Sequence, residues 1–291
     1  MKEITGTTKL LGIIGDPIEH SLSPLMHNAA LAHLQLDYTY VPFPVAGEDL
    51  QKALDGMKAF GVVGFNATIP HKQAVMPLLS HVTPAAQEIG AVNTVWLTND
   101  GWHGTNTDVT GFIAPLKNID WQWHQVKPVV LGNGGASRAV VAGLFDLGCR
   151  EIHLAGRNKD KLARFWQSWS GSAIANSLKI HYWENLSSLI PSADLIVNTT
   201  PIGMHPKVNA SPIDAALMEK IKKDVVAYDL IYTPSPTQFL SLAKDKGAIV
   251  IDGLEMLVQQ GAAGFEIWTN QTAPVEIMRN VLQNKLYGKN N

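Results

Sequence analysis

The chain has 291 residues, 46% of them hydrophobic and 16% charged, which is enough apolar material for one large domain or two ordinary ones. Its formal net charge of -2 argues against a nucleic acid or an acidic membrane surface as a partner. The N-terminus lacks a signal-peptide pattern, and no apolar run approaches the roughly 20 residues that span a bilayer. The single cysteine, Cys149, is expected to be a buried thiol, and the protein to be cytoplasmic.

The first third of the chain predicts strands that alternate with helices. Ser23 and Pro24 are typical of a helix start, with the serine as N-cap and the proline in the first turn. Pro42 and Pro44 within a strand favour an edge position. The predicted strands are 10–15, 38–45 and 62–68, a hairpin covers 91–106, and the helices begin at 23, 48, 70, 84 and 107.

A polar and aromatic segment without periodicity, 118–127, indicates a domain boundary. Beyond it, strands again alternate with helices, which predicts a parallel sheet covered on both faces. After the strand that begins at 129, further strands are predicted at 151–155, 178–183, 194–199, 225–231 and 248–251, with closing helices at 254–269 and 274–286.

A glycine-rich turn opens the second part of the chain. An apolar β-branched run leads into Gly132, Asn133, Gly134, Gly135 and Ala136, and a helical stretch follows. Such a turn directs several backbone N–H groups and the positive end of a helix at one spot, which suits a diphosphate. The pattern departs from the common G-x-G-x-x-G, and a tight turn without any ligand is the alternative.

The residues after the next strand bear on the choice of dinucleotide. NAD sites usually end this strand with an acidic residue, whereas here Arg157, Asn158 and Lys159 follow it. A guanidinium matches the shape and charge of a phosphate, so the sequence favours NADP, with NAD as a secondary cofactor. The alternative is an ordinary surface arginine.

Four motifs in the first third, together with the glycine turn, resemble the shikimate dehydrogenase family over nearly the whole chain and in the same order. The motifs are SLSP at 21–24, NATIPHK at 66–72, GAVNT at 90–94 and GTNTD at 104–108. The resemblance implies a two-domain α/β enzyme with an N-terminal substrate domain and a Rossmann-type, doubly wound NADP-binding domain. It also implies reversible reduction of 3-dehydroshikimate to shikimate, a step of aromatic amino-acid and chorismate biosynthesis.

The resemblance also implies roles for residues that would otherwise be interpreted as caps and turns. It assigns Ser21 and Ser23 to the substrate carboxylate, although sequence alone favours a loop residue and an N-cap. The other implied substrate contacts are Asn66, Thr68, Asn93, Asp108, Tyr232 and Gln260, and the implied cofactor contacts include Thr200, Leu230 and Gly253.

The choice of Gln260 over Gln259 implies that the closing helices pack on the first domain. The substrate-binding catalytic domain is then 1–117 plus 254–291, and the dinucleotide-binding domain is 118–253.

Lys72 is the predicted acid and base. As a cation in the first turn of a helix it is electrostatically misplaced, so a carboxylate partner is expected. The family pairs this lysine with the aspartate found here as Asp108. Lys72 would donate a proton to the oxygen that gains charge during hydride transfer, and Asp108 would orient it.

Other functions remain open at this stage. One is a quinate/shikimate dehydrogenase that uses NAD or either cofactor, or a relative acting on another cyclic hydroxy acid; another is a non-catalytic dinucleotide-binding paralogue. The ten histidines include no H-E-x-x-H motif or Cys/His cluster, so no metal is expected. The sequence leaves the oligomeric state open, a homodimer included.

Overall fold

The computed structural model describes residues 3–288. The chain forms two compact units, one from Met1–Gly111 with Leu257–Asn291 and the other from Phe112–Met256. Each unit contains one six-stranded sheet.

The predicted strands and helices are present, with boundaries that differ by a few residues. The strands are β1 (Lys9–Gly15), β2 (Tyr38–Pro44), β3 (Val62–Ala67), β4 (His81–Val82), β5 (Thr94–Thr98), β6 (Gly101–Thr105), β7 (Pro128–Leu131), β8 (Ile152–Gly156), β9 (Leu178–Tyr182), β10 (Leu195–Asn198), β11 (Val226–Asp229) and β12 (Ile249–Ile251). The helices are α1 (Ser23–His33), α2 (Leu50–Ala59), α3 (His71–Ala74), α4 (Pro84–Ile89), α5 (Asp108–Ile113), α6 (Gly135–Asp146), α7 (Lys159–Gln167), α8 (Ile174–Ser177), α9 (Leu186–Leu189), α10 (Ala215–Met218), α11 (Gln238–Asp245), α12 (Leu254–Thr269) and α13 (Val275–Tyr287).

The sheet of the first unit is mixed, with the order β2-β1-β3-β5-β6-β4. Strands β2, β1 and β3 run parallel, and the β5–β6 hairpin joins β3 in the antiparallel sense. β2, the strand with two prolines, lies at the edge as predicted, because proline cannot donate to a second neighbour.

The sheet of the second unit is parallel throughout, with the order β12-β11-β10-β7-β8-β9. Taken from β7, the strand order reverses between β7 and β10, which is the doubly wound arrangement of dinucleotide-binding domains. The predicted fold class is confirmed. In open sheets of this kind, ligands bind outside the carboxyl ends of the strands at the reversal point, and the glycine turn follows β7 there.

The predicted N-cap of α1 is wrong. Leu22 is the N-cap and makes no side-chain cap, and Ser23 is already the first helical residue. The cap-like contact comes from Ser21 instead, whose Oγ accepts a hydrogen bond from the backbone N–H of Ser23 (3.3 Å). The helix begins one residue early because this serine supplies the acceptor for the first turn.

Two further observations concern the single cysteine and the helices. Cys149 is buried as predicted, and desolvation raises the pKa of its thiol to about 12, so it stays neutral and unreactive at ordinary pH. Between residues 3 and 288, no helix combines the length and the apolar character needed to cross a membrane.

Candidate active site

Several motif segments meet at one end of the first sheet. The carboxyl ends of β1 and β3 are adjacent, with Ile14 paired to Ala67. Because β5 is antiparallel to β3, its first residue, Thr94, lies beside Asn66 and also beside Thr105 at the end of β6. Residues that are distant in the sequence are therefore neighbours, and this end of the sheet carries the polar side chains of three motifs.

Lys72 and Asp108 form an ion pair within the first unit. The Lys72 Nζ donates to Asp108 Oδ2 over 2.6 Å, and the two side chains are 19% and 7% exposed. Lys72 lies on the short helix α3, which is held by a hydrogen bond from the Val92 N–H to the Lys72 carbonyl (2.7 Å). Within residues 3–288 the ammonium makes no other hydrogen bond, so two of its three N–H groups remain available to a ligand.

Asn93 connects this ion pair to Gln260, another predicted residue. Its Nδ2 donates to Asp108 Oδ1 (2.8 Å) and lies 3.3 Å from Gln260 Oε1. Its Oδ1 accepts from the Thr107 N–H (2.8 Å), which fixes the orientation of the amide. Asp108 thus has one oxygen bonded to an amide and the other to an ammonium, so both oxygens are held in place.

Tyr40 belongs to the same polar network, and sequence analysis missed it. Its phenol donates to Asn66 Oδ1 (2.7 Å), while Asn66 Nδ2 donates to the Asn93 carbonyl (3.0 Å). Burial raises the pKa of Tyr40 well above its ordinary value, so the phenol keeps its proton. His27 stacks on the Tyr40 ring at 4.4 Å, and burial lowers the pKa of this histidine to about 3. A tyrosine at a buried position of an edge strand is the only signal that the sequence offered.

The remaining substrate candidates of the first unit lie next to the ends of β1 and β3. The Thr68 N–H donates to the Ile14 carbonyl (3.0 Å), and a Cβ on Gly15 would approach the Thr68 methyl to 2.6 Å, so glycine is needed there. Ser23 is buried and Ser21 half-buried. In the described part of the chain, no hydrogen bond joins these serines to Lys72 or Asp108.

In the second unit, the glycine turn lies between β7 and α6. Gly132 has φ +106°, and a Cβ there would come within 2.8 Å of Thr199 Oγ1, so only glycine fits. A Cβ on Gly134 or Gly135 would meet nothing within 4 Å, and α6 has no side-chain cap at its N-terminus. The first turn of this helix therefore presents uncapped N–H groups to an open space, which suits an anionic group such as a diphosphate.

The basic residues follow the neighbouring strand, β8. Arg157 and Lys159 are exposed, and the side chain of Asn158 caps α7 by accepting from the Lys161 N–H (2.9 Å). A Cβ on Gly156 would lie 3.1 Å from Asn133 Oδ1, so the basic segment lies against the glycine turn. The segments that follow β7 and β8 are thus adjacent.

A buried amide–carboxylate pair, Asn198 and Asp229, lies where the loops after β10 and β11 begin. The sequence analysis assigned no role to this pair. Asn198 Nδ2 donates to Asp229 Oδ1 (3.0 Å), and Asn198 Oδ1 accepts from the N–H and the hydroxyl of Thr200 (3.0 and 2.7 Å). The Leu230 N–H donates to the Asn198 carbonyl (3.1 Å). A Cβ on Gly253 would approach the Leu230 carbonyl oxygen to 2.1 Å, so Gly253 allows this close contact.

Tyr232, the remaining substrate candidate, lies in the second unit and is half-buried. It lies three residues after Asp229, the last residue of β11. The signal that could have identified Asp229 is a carboxylate that directly ends a buried strand.

Asp229 is fully buried, and no cation within residues 3–288 forms an ion pair with it. Burial raises the pKa of its carboxyl to about 6, against the lowering effect of donors from Thr237 (2.7 Å), Ile231 and Asn198. Between about pH 4 and pH 6 the folded protein holds a proton that the unfolded chain has lost. The contribution of Asp229 to the free energy of unfolding therefore falls as the pH rises through this window.

We expect Asp229→Asn to abolish this pH dependence. On moving from pH 7 to pH 5, the wild type should gain about 1 kcal/mol in the free energy of unfolding relative to the variant. Urea denaturation of both proteins at the two pH values measures the change. The same difference at both pH values would show that the carboxyl of Asp229 has an ordinary pKa.

Comparison with known proteins identifies the family. The family model described as shikimate dehydrogenase substrate binding domain matches residues 13–95, and the model described as shikimate 5′-dehydrogenase C-terminal domain matches 253–283. The chain is 57% identical over 286 residues, 98% of its own length and 99% of the relative's, to a protein named shikimate dehydrogenase (NADP(+)) from Gloeothece citriformis (strain PCC 7424). The chain belongs to the shikimate dehydrogenase family. The resemblance inferred from the motifs is confirmed.

Solved structures of the shikimate dehydrogenase family share the fold. One, in complex with NADP⁺, is 38% identical with a TM-score of 0.89, and the match covers 98% of each chain. Another, from Thermus thermophilus in complex with NADP(H) and shikimate, is 34% identical with a TM-score of 0.82, over 96% of this chain and 100% of that one.

The matched segments include many of the candidate residues. The family's substrate-binding model spans Lys72 and Asn93 but ends before Asp108, and the C-terminal model includes Gln260. Within residues 3–288, no three His, Cys, Asp or Glu side chains are grouped so that they could hold a metal ion.

Proposed function

We propose that this protein catalyses the reversible NADP-dependent reduction of 3-dehydroshikimate to shikimate. The observation that carries the proposal is the Lys72–Asp108 pair, with two ammonium N–H groups free for a ligand, in a chain of this family. The names of the relatives and the shikimate in the Thermus thermophilus structure support it. We assign residues 1–117 plus 254–291 to the substrate-binding catalytic domain and 118–253 to dinucleotide binding.

The second unit has groups that suit NADP. The uncapped first turn of α6 and the open space beside Gly134 and Gly135 fit a diphosphate. Arg157 and Lys159 fit a 2′-phosphate, and we assign Asn133, Ala136, Asn158, Thr200, Leu230 and Gly253 to further cofactor contacts. When bound, NADPH supplies the hydride that reduces the ketone carbon.

Lys72 would transfer the proton that accompanies hydride transfer. As the ketone oxygen gains negative charge, the ammonium donates one N–H proton to it, and in the reverse direction the amine accepts the proton of the hydroxyl. Asp108, whose Oδ1 accepts a hydrogen bond from Asn93, would fix the position of the amine at 2.6 Å. Because Lys72 is 19% exposed, solvent can restore its proton.

The polar residues around this pair suit a ring with several hydroxyls and one carboxylate. We assign the hydroxyl contacts to Thr68, Asn93, Asp108 and Gln260, and the carboxylate contacts to Ser21 and Ser23. Asn66 and Tyr232 are proposed as further substrate contacts. Short amides and hydroxyls held by buried partners present fixed donors and acceptors, which discriminate between substrates that differ by one hydroxyl.

Steady-state oxidation of shikimate and of quinate, each with NADP⁺ and with NAD⁺, tests the proposal through the absorbance of the reduced nicotinamide. Turnover should be largest for shikimate with NADP⁺. Faster turnover of quinate would indicate the quinate-oxidising alternative. Cofactor binding without turnover of any pair would indicate a non-catalytic paralogue.

The Arg157→Ala variant tests the choice of cofactor. Charged hydrogen bonds contribute roughly 1.5–3 kcal/mol, so the KM for NADPH should rise about tenfold or more while that for NADH hardly changes. Arg164→Ala, which removes an exposed arginine of α7, is the matched control and should leave both KM values unchanged. Equal losses with both cofactors would contradict the assignment.

Two expectations from the sequence remain predictions. A homodimer would be detected by sedimentation equilibrium at enzymatic concentrations, and a cytoplasmic location by fractionation of the source cells.

A further inference from the structure

Arg157 and Lys159 each lie over an aromatic ring at the end of the neighbouring strand, β9, or directly after it. The Arg157 guanidinium lies 5.2 Å from the centre of the Trp183 ring, and the Lys159 ammonium lies 5.0 Å from the centre of the Tyr182 ring. The register of β8 and β9 explains the arrangement, because Gly156 pairs with Tyr182 and the next residues of both strands emerge side by side.

Arg157 and Lys159 carry positive charges that no carboxylate in the described part of the chain neutralises. In the described range, 3–288, neither side chain forms an ion pair, although Asp160 and Glu184 follow closely in the sequence. Stacking on a ring stabilises a cation without a carboxylate. It also leaves the in-plane N–H groups of the guanidinium free to bind an anion with two hydrogen bonds.

We propose that Trp183 and Tyr182 form an aromatic shelf that positions Arg157 and Lys159 for the 2′-phosphate of the dinucleotide, and that this shelf sets the preference for NADP over NAD. The inference rests on the proposed function, since it concerns the same cofactor. Trp183 and Tyr182 act through the two cations, so they are positioning residues.

Neighbouring residues hold the aromatic shelf in place, and Trp183 is packed more tightly than Tyr182. Trp183 packs on a hydrophobic cluster of the second unit that includes Leu186 and Ile190, whereas Tyr182 is 47% exposed. The Tyr182 N–H donates to Asn185 Oδ1 (3.1 Å), which fixes the turn after β9. We therefore expect loss of the Trp183 ring to have the larger effect.

The test measures binding of 2′,5′-ADP and 5′-AMP to the full chain by calorimetry, since these probes differ only in the 2′-phosphate. Trp183→Leu should raise the Kd of 2′,5′-ADP about three- to tenfold and leave that of 5′-AMP unchanged. Trp183→Phe keeps a ring and should restore most of the affinity. Trp166→Leu, which removes a tryptophan that is 47% exposed on α7, is the matched control and should bind both probes like the wild type.

Tyr182→Leu, at an exposed position, provides a second test should Trp183→Leu not fold, and it should weaken only 2′,5′-ADP. The proposal is overturned by unchanged binding of 2′,5′-ADP in the leucine variants, by equal weakening of both probes, or by a wild type that does not prefer 2′,5′-ADP. A wild type that prefers 2′,5′-ADP but turns over no shikimate would overturn the proposed function and leave the shelf intact.

Discussion

Replacing Lys72 with alanine should lower kcat by about 10²–10⁴-fold and change the KM for shikimate little. The variant loses the group that donates a proton to the ketone oxygen, and this group acts only as the oxygen gains charge. The hydrogen-bond groups of Asn93 and Gln260 remain for the substrate. Steady-state kinetics in both directions, with the melting temperature as a check on folding, measure the effect.

Two further lysine variants sharpen this result. Lys72→Arg keeps a positive charge but replaces the amine by a group that does not release its proton at ordinary pH, so it should also lose most of kcat. Lys52→Ala is the matched control, since Lys52 also pairs with an aspartate, Asp49, at 3.0 Å but is 83% exposed. Full activity in Lys72→Ala would contradict the proposed role of Lys72 as acid and base. Full activity in Lys72→Arg would mean that only the positive charge of the residue is needed.

The second large effect is expected from Asp108→Asn. Truncating one partner of a buried charged pair typically costs 2–5 kcal/mol, so kcat/KM should fall on the order of 10²-fold or more. The amide keeps the size of the side chain and a carbonyl acceptor, but it removes the charge that holds the Lys72 ammonium at 2.6 Å. Both a lower kcat and a higher KM for shikimate are expected, because the carboxylate has a proposed contact with the ring as well.

The double variant Lys72→Ala with Asp108→Asn decides whether the two residues act as one unit. When two groups act as one unit, removing the second causes little further loss of rate. The double variant should therefore have about the same kcat as the slower single variant. Multiplied losses would mean that Asp108 contributes independently of Lys72, and its orienting role would be wrong.

The two units differ in how their sites are built, and this affects how variants should be interpreted. Around Lys72 the polar groups bond one another, through Asn93 and Asn66, so one substitution disturbs several neighbours. Around Arg157 the cation is exposed and rests on a ring, so its loss should leave the fold unchanged. Stability measurements are therefore essential for variants of the first site.

Most of the local structure could be predicted from the sequence because its signals are local. Two prolines predicted that β2 is an edge strand, and alternating strands and helices after residue 128 predicted the parallel sheet. The glycine turn was recognisable because Gly132 has φ +106°, a backbone conformation that favours glycine. Ser23 was wrongly predicted as an N-cap, since capping depends on a single hydrogen bond that Ser21 provides instead.

Only the tertiary structure decided which residues from distant segments of the sequence contact one another. Lys72 and Asp108 meet because β3, β5 and β6 pair in one register. Tyr40 bonds Asn66 because β2 and β3 lie on either side of β1 in the same sheet. Trp183 lies under Arg157 because β9 pairs with β8. Strand order and register are set when the apolar faces of the whole chain are buried together. Propensities and motifs could therefore identify these candidate residues but could not predict the contacts between them.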